Sequence, residues 1–263
     1  MTPIVLHHGL FGVGDIKIGP IKLSYFRGID RAITDRGHPL ILSRVHPTGS
    51  IERRARELKA TILRQLRAQG RDASEKLVIL AHSMGGLDAR YMISKLGMDD
   101  RVKALVTITT PHRGSPYADW AIRNLGQRLG GLQLMKLLGL DVRAISDLTT
   151  ESCTRFNEDV PDAPTVKYFS ISAARPWHRV PPFAVHAHKL ITAAEGPNDA
   201  LVSVKSSTWA EHLGTWPADH WHTINRRYVI ELKEPTGDIT PYYLAALERV
   251  VRITNDETRM TNQ

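Results

Sequence analysis

The chain has 263 residues, 42% of them hydrophobic and 24% charged, a balance of a folded globular protein that fits one large domain or two small ones. Its formal net charge of +8 comes densely from one amphipathic segment without the interleaved aromatic residues that stack bases, so no nucleic acid partner is expected and weak, salt-sensitive attraction to anionic interfaces is. The single cysteine, Cys153, excludes an intrachain disulfide and a cysteine-cluster metal site, and no apolar run approaches the roughly 18 residues of a membrane helix.

The first strand-like run is Ile4 to Leu6, preceded by no basic leader, which makes a cytoplasmic location the expectation. His7-His8-Gly9-Leu10-Phe11-Gly12 follows, and its glycines let the chain turn sharply. A helical pattern over Tyr25 to Thr34 leads to a second strand-like run, Leu40 to Val45. Ile51 to Gln69 is a long helix, with Ser50 as N-cap and Gly70 beyond its end. Ile51, Ala55, Leu58, Ile62 and Leu66 form its apolar face, and Arg53, Arg54, Arg56, Lys59, Arg64 and Arg67 its solvated back.

Leu77 to Leu80, Leu105 to Ile108 and Val166 to Ile171 are further strand-like runs, with a helix over Leu87 to Leu96 between the first two. This alternation predicts an α/β fold, a mostly parallel sheet with helices on both faces. Ser115 to Asn157 breaks it. The stretch holds no strand, and Leu132, Leu134, Met135, Leu137, Leu138 and Leu140 are apolar on more than one helical face, which predicts a helical cap over a site.

The chemistry starts at Ala81-His82-Ser83-Met84-Gly85-Gly86. A serine between an apolar strand and a helix, with small residues two before and two after, reads as a nucleophile elbow. Ala81 stands where glycine is usual and keeps the small size. A serine hydroxyl needs a base, and the base needs an orienting acid. Asp199, on a turn before Ala200-Leu201-Val202, and His220, in Pro217-Ala218-Asp219-His220-Trp221, fit the order serine, acid, histidine. His222 and His212 compete as base, and Asp162 and Glu195 as acid; Asp219 is expected to be exposed. The oxyanion of an acyl transfer needs N–H donors. Met84, after the serine, supplies one, and Leu10, with Phe11 second, the other.

His8-Gly9-Leu10-Phe11-Gly12, Tyr25-Phe26-x-Gly28-Ile29, the serine hexapeptide, Thr110-Pro111-His112-Arg113-Gly114-Ser115, Asn198-Asp199-Ala200-Leu201-Val202 and Asp219-His220-Trp221 occur in this order. Together they resemble the bacterial triacylglycerol lipases of the Pseudomonas and Burkholderia type, in the α/β-hydrolase superfamily. Ala81 resembles the first small position of Bacillus lipases. The resemblance runs over about residues 3 to 226. It implies one α/β-hydrolase domain over residues 1–263, with residues 115–157 as its cap or lid. It also implies Ser83 as nucleophile, Asp199 as acid, His220 as base, and an oxyanion hole of the Leu10 and Met84 amides. The family's disulfide cannot form with Cys153 alone. Many of these lipases hold a structural calcium near the histidine loop; here His222 occupies one carboxylate position and Pro181 to Leu190 offers no acid, so no metal is expected.

The expected function is a serine hydrolase that cleaves carboxylic esters through an acyl-enzyme, needing no cofactor. Its substrate would be an ester or lipid met at a lipid–water interface without stable membrane insertion. A lipase leads, a short-chain carboxylesterase follows, and an acyltransferase or a non-catalytic binding protein on the same fold are the readings from other classes.

Overall fold

The computed structural model describes residues 1–12, 16–18, 21–72, 75–127, 142–226, 228 and 237–260. In chain order come β1 (Ile4–His7), a short antiparallel ribbon of β2 (Ile16–Ile18) and β3 (Ile21–Leu23), α1 (Ile29–Asp35), β4 (Leu40–Leu42), α2 (Ile51–Ala68), β5 (Leu77–His82), α3 (Gly85–Lys95) and β6 (Val102–Ile108). The second half comprises α4 (Pro116–Gln127), α5 (Val142–Ser146), α6 (Thr150–Asp159), β7 (Lys167–Ala173), α7 (Val185–Glu195), α8 (Val204–Ser207), β8 (Glu211–Trp216) and α9 (Thr240–Met260).

Six strands form one sheet in the order β4-β1-β5-β6-β7-β8, every neighbouring pair parallel. Both faces are covered, which is why β1 and β5 read as continuous apolar runs. Ile4 and Leu6 of β1 and Val78 and Leu80 of β5 pack with α1 and α9. The alternate residues Val5, Leu77, Ile79 and Ala81 pack with α2 and α3. α1 leaves β1 along one face to the edge strand β4, whereas α3 leaves β5 along the other. The crevice at the carboxyl ends of these neighbours, where His7 pairs with Ala81, is the switch point at which open α/β sheets take ligands.

One local expectation differs from the structure, and further elements join those expected. The pattern from Tyr25 starts its helix only at Ile29, because Gly28 just before it lies in the left-handed region at φ 79°. The proline- and histidine-rich stretch after Ile171 holds a helix, α7, that buries Ala187, His188 and Ile191. β8 and α9 complete the fold without having been anticipated. The leucine-rich cluster from Leu132 to Leu140 lies outside the described residues.

Arg54 corrects the reading of α2. It is fully buried, not part of the solvated back. Its Nε donates to Asp88 Oδ2 at 2.8 Å, and its two terminal nitrogens donate to the His46 and His8 carbonyls at 2.8 and 2.7 Å. Asp88 Oδ2 also meets His7 Nε2 at 2.9 Å, and His7 Nδ1 meets Ser43 Oγ at 2.7 Å. One polar cluster thus clamps α2, α3 and the end of β1. Removing one partner of a buried pair strands the other charge without water. Arg54→Met should therefore cost about 3–5 kcal/mol of unfolding free energy. Arg67→Met, on the exposed side of the same helix, should cost less than about 0.5 kcal/mol. Urea titration of both variants checks this.

Candidate active site

β5 ends at His82, and Ser83 takes φ 56°, a left-handed backbone that a non-glycine residue holds only when its surroundings impose it. They do. The Ser83 N–H donates to the Ile108 carbonyl at 2.8 Å, and the Ser83 carbonyl accepts the Thr110 hydroxyl at 2.7 Å. Space forbids larger neighbours. A Cβ on Gly85 would stand 2.8 Å from the His8 carbonyl oxygen, one on Gly86 2.2 Å from Thr110 Oγ1, and one on Gly9 2.7 Å from Ser83 Cβ. Ala81 has room because its methyl packs among the apolar side chains beneath α2 and α3.

The structure brings Ser83, His220 and Asp199 together. His220 Nε2 lies 3.0 Å from Ser83 Oγ, and His220 Nδ1 lies 2.7 Å from Asp199 Oδ2. The other Asp199 oxygen accepts the Leu201 and Val202 N–H groups at 2.9 and 2.7 Å, and the Asp199 carbonyl accepts the His220 N–H at 2.8 Å. The acid is therefore oriented by backbone donors of its own turn. Asn198, buried beside it, fixes that turn by accepting the Ala200 N–H at 2.9 Å and donating to Thr192 Oγ1 at 2.9 Å and Gly196 O at 3.0 Å.

Of the two candidate donors after β1, the Phe11 N–H is engaged with the Pro47 carbonyl at 2.8 Å. Leu10 N–H and Met84 N–H have no partner among the described residues. Leu10 follows Gly9, which lies against Ser83, and Met84 precedes the N-terminus of α3, where the helix dipole favours negative charge.

A second set of contacts was not foreseen from the sequence. Thr223 Oγ1 donates to the His220 carbonyl at 2.6 Å and meets His82 Nε2 at 2.9 Å. His82 Nδ1 meets the Tyr25 hydroxyl at 2.9 Å, and that oxygen accepts the Gly9 N–H at 3.3 Å. The proton positions follow by counting. Thr223 has one hydroxyl proton, which the carbonyl takes, so His82 Nε2 must be the donor to Thr223. Burial, and then the nearby His220, holds His82 well below its usual pKa, so the ring is neutral and its bare Nδ1 accepts the Tyr25 proton. Burial pushes the Tyr25 hydroxyl up to about 12, which keeps that proton in place. The relay ties the loop after β1 to the histidine loop through the elbow residue next to the serine.

The competing residues are engaged elsewhere. His212 Nε2 meets Ser172 Oγ at 2.9 Å, Asp162 accepts Trp209 Nε1 at 2.8 Å, and Glu195 accepts the Ser203 hydroxyl. Asp219 is buried, not exposed, because it caps its own turn: Oδ1 accepts the Trp221 and His222 N–H groups at 3.0 and 2.9 Å, and Oδ2 faces Arg175. His222, at the family's calcium position, meets the Gly237 carbonyl through Nε2 at 3.1 Å. With its nearest carboxylate so committed, the loop does not fit a hard cation that takes six to eight oxygens.

Ser83 and His220 line a cavity of about 490 Å³, within the usual size of small-molecule sites. Tyr117, Ala118 and Ala121 of α4 and Ile145 and Leu148 beyond it make one apolar wall, and Phe183, Ala187 and Val202 another. Ser115 Oγ donates to the Leu201 carbonyl, and Asp119 accepts the Thr150 N–H and hydroxyl, which ties α4 to the Asp199 turn and to the start of α6.

Residues 48–168 match the family of the PGAP1-like alpha/beta domain. Triacylglycerol lipase 2 of Saccharomyces cerevisiae is 34% identical over 212 residues, 78% of this chain and 63% of that protein. A triacylglycerol lipase of Burkholderia plantarii is 31% identical over 125 residues, 45% of this chain and 32% of that protein. The chain thus spans less than two thirds of the length of these relatives. The crystal structure of the Staphylococcus hyicus lipase superposes with a TM-score of 0.74 at 18% identity, over 98% of this chain and 97% of that one. The fold is that of the α/β-hydrolases.

The buried histidines predict an acid sensitivity. Burial lowers His7, His82 and His112 well below their usual value and His8 to about 3. The unfolded chain binds these protons near pH 6.5, so the stability involved is complete above that pH and is lost as pH falls below it. Each such group contributes a slope of about 1.4 kcal/mol per pH unit. Asp88, raised by burial to about 6, opposes one of the four. The urea midpoint should fall steeply between pH 6.5 and 5; a flat midpoint over that range would contradict this account.

Proposed function

We propose that this chain is a serine hydrolase that cleaves carboxylic esters through an acyl-enzyme, a lipase acting on acylglycerols or other lipid esters. The observation that carries the reading is the continuous pair of hydrogen bonds from Asp199 through His220 to Ser83, at 2.7 and 3.0 Å, beside two unspent backbone donors. The lipase relatives add support. The match to the yeast protein is longer than that to the Burkholderia one, so the kinship proposed is with lipases of both origins.

In this mechanism His220 Nε2 takes the Ser83 proton as Oγ attacks the ester carbonyl. The Leu10 and Met84 N–H groups receive the oxyanion. Asp199, fixed by the Leu201 and Val202 amides, steadies the imidazolium, which then protonates the departing alcohol. Water attacks the acyl-enzyme by the reverse path, freeing the acid and restoring Ser83. A neutral His82, its ring 4.7 Å from that of His220, leaves this imidazolium unopposed by a like charge. Residues 115–157 act as the cap, their apolar wall receiving the acyl chain.

Ser83→Ala should lower turnover of p-nitrophenyl butyrate by at least about 10⁴-fold. Across esters of graded chain length, wild-type rates should jump above the substrate's solubility limit; a smooth profile would make the protein an esterase. Thr223→Val removes the relay's hydroxyl link to the His220 carbonyl and should lower kcat about 10-fold with little change in KM, an effect of about 1.4 kcal/mol. Thr223→Ser, which keeps the hydroxyl, should restore most of it, whereas a purely steric role for Thr223 would not give this rescue.

A further inference from the structure

Among the described residues lining the cavity, Arg226 carries the only charge apart from the histidines. Its backbone N–H is tied to the Trp221 carbonyl at 2.9 Å, and its guanidinium carbon lies 5.8 Å from the centre of the Tyr25 ring. Its guanidinium has no ion pair or hydrogen bond among the described residues. Among the described residues, the carboxylates on or against this loop are spent. Asp199 serves His220, Asp219 serves its own turn and Arg175, and Asp238 accepts from Asn225 and Thr240. A half-buried guanidinium whose donors meet no described residue is available to pair an anion that enters the cavity.

Resting on the ester-hydrolase reading, we infer that Arg226 is an anion subsite that selects esters whose alcohol half carries a phosphate. The alcohol half is assigned by the proton path. Arg226 follows His220 on the same loop, and His220 delivers its proton to the leaving alkoxide. The group beside this loop is therefore the departing alcohol, while the acyl chain lies along the uncharged α4 wall. The guanidinium fork pairs two oxygens of a phosphate at once. Each turnover consumes one water and releases a carboxylic acid and the phosphate-bearing alcohol.

Three soluble butyrate esters test this, those of glycerol 3-phosphate, glyceric acid and glycerol, with p-nitrophenyl butyrate as reference. In the wild type kcat/KM for the phosphate ester should exceed that for the glycerol ester about tenfold or more, the size of one charge-assisted pairing. Arg226→Gln should bring that ratio to within about twofold of one, with Arg226→Lys between. Arg31→Gln, on the exposed side of α1, removes one charge outside the cavity lining and should leave the ratio intact. A wild-type ratio near one, a ratio that survives Arg226→Gln, or a preference for the glycerate ester alone would overturn the inference. If none of the four esters is hydrolysed, the hydrolase reading itself fails, a distinct result.

Discussion

Everything in this site depends on one constrained residue. Ser83 is held at φ 56°, a conformation costing of the order of 1–3 kcal/mol for a residue with a side chain. The surrounding fold supplies what holds it: a carbonyl at the end of β6, the Thr110 hydroxyl, and glycines at positions 9, 85 and 86 that let three segments crowd the turn. The parallel sheet brings the ends of β1 and β5 side by side, so the loop that offers Leu10 arrives against the serine without further design.

Two buried polar clusters then set the precision of the arrangement. Arg54, Asp88 and His7 lie beneath the loop after β1, with Arg54 gripping the His8 carbonyl directly. Tyr25, His82 and Thr223 lie beside it and reach the His220 carbonyl. In a low-dielectric interior such networks are strong when every member is satisfied and costly when one is lost. They make the spacing between the loop that carries Leu10 and the loop that carries His220 a property of the core rather than of the two loops.

Much of this was legible in the chain. The apolar run before Ser83 and the small residues around it marked the elbow, and Asp199 and His220 stood out as an acid and a histidine in turns of the right order. Arg54 could have been read. It falls three residues after Ile51 and four before Leu58, on the buried face, and only its charge argued otherwise. α9 also carried a readable stripe in Tyr243, Leu244, Leu247 and Val250. β8 did not, because as an edge strand it is only partly buried and contains Gly214. Asp219 misled because a residue next to His220 can turn inward when its own backbone supplies the donors. Thr223 and Tyr25 had no sequence signal for their role, since their partnership exists only across distant segments.

The most direct test of the central claim is covalent. Treatment with a fluorophosphonate, followed by peptide mass mapping, should find one adduct, on the peptide containing Ser83, and labelling should be lost in His220→Ala. An adduct on a different serine, or equal labelling without His220, would contradict the account.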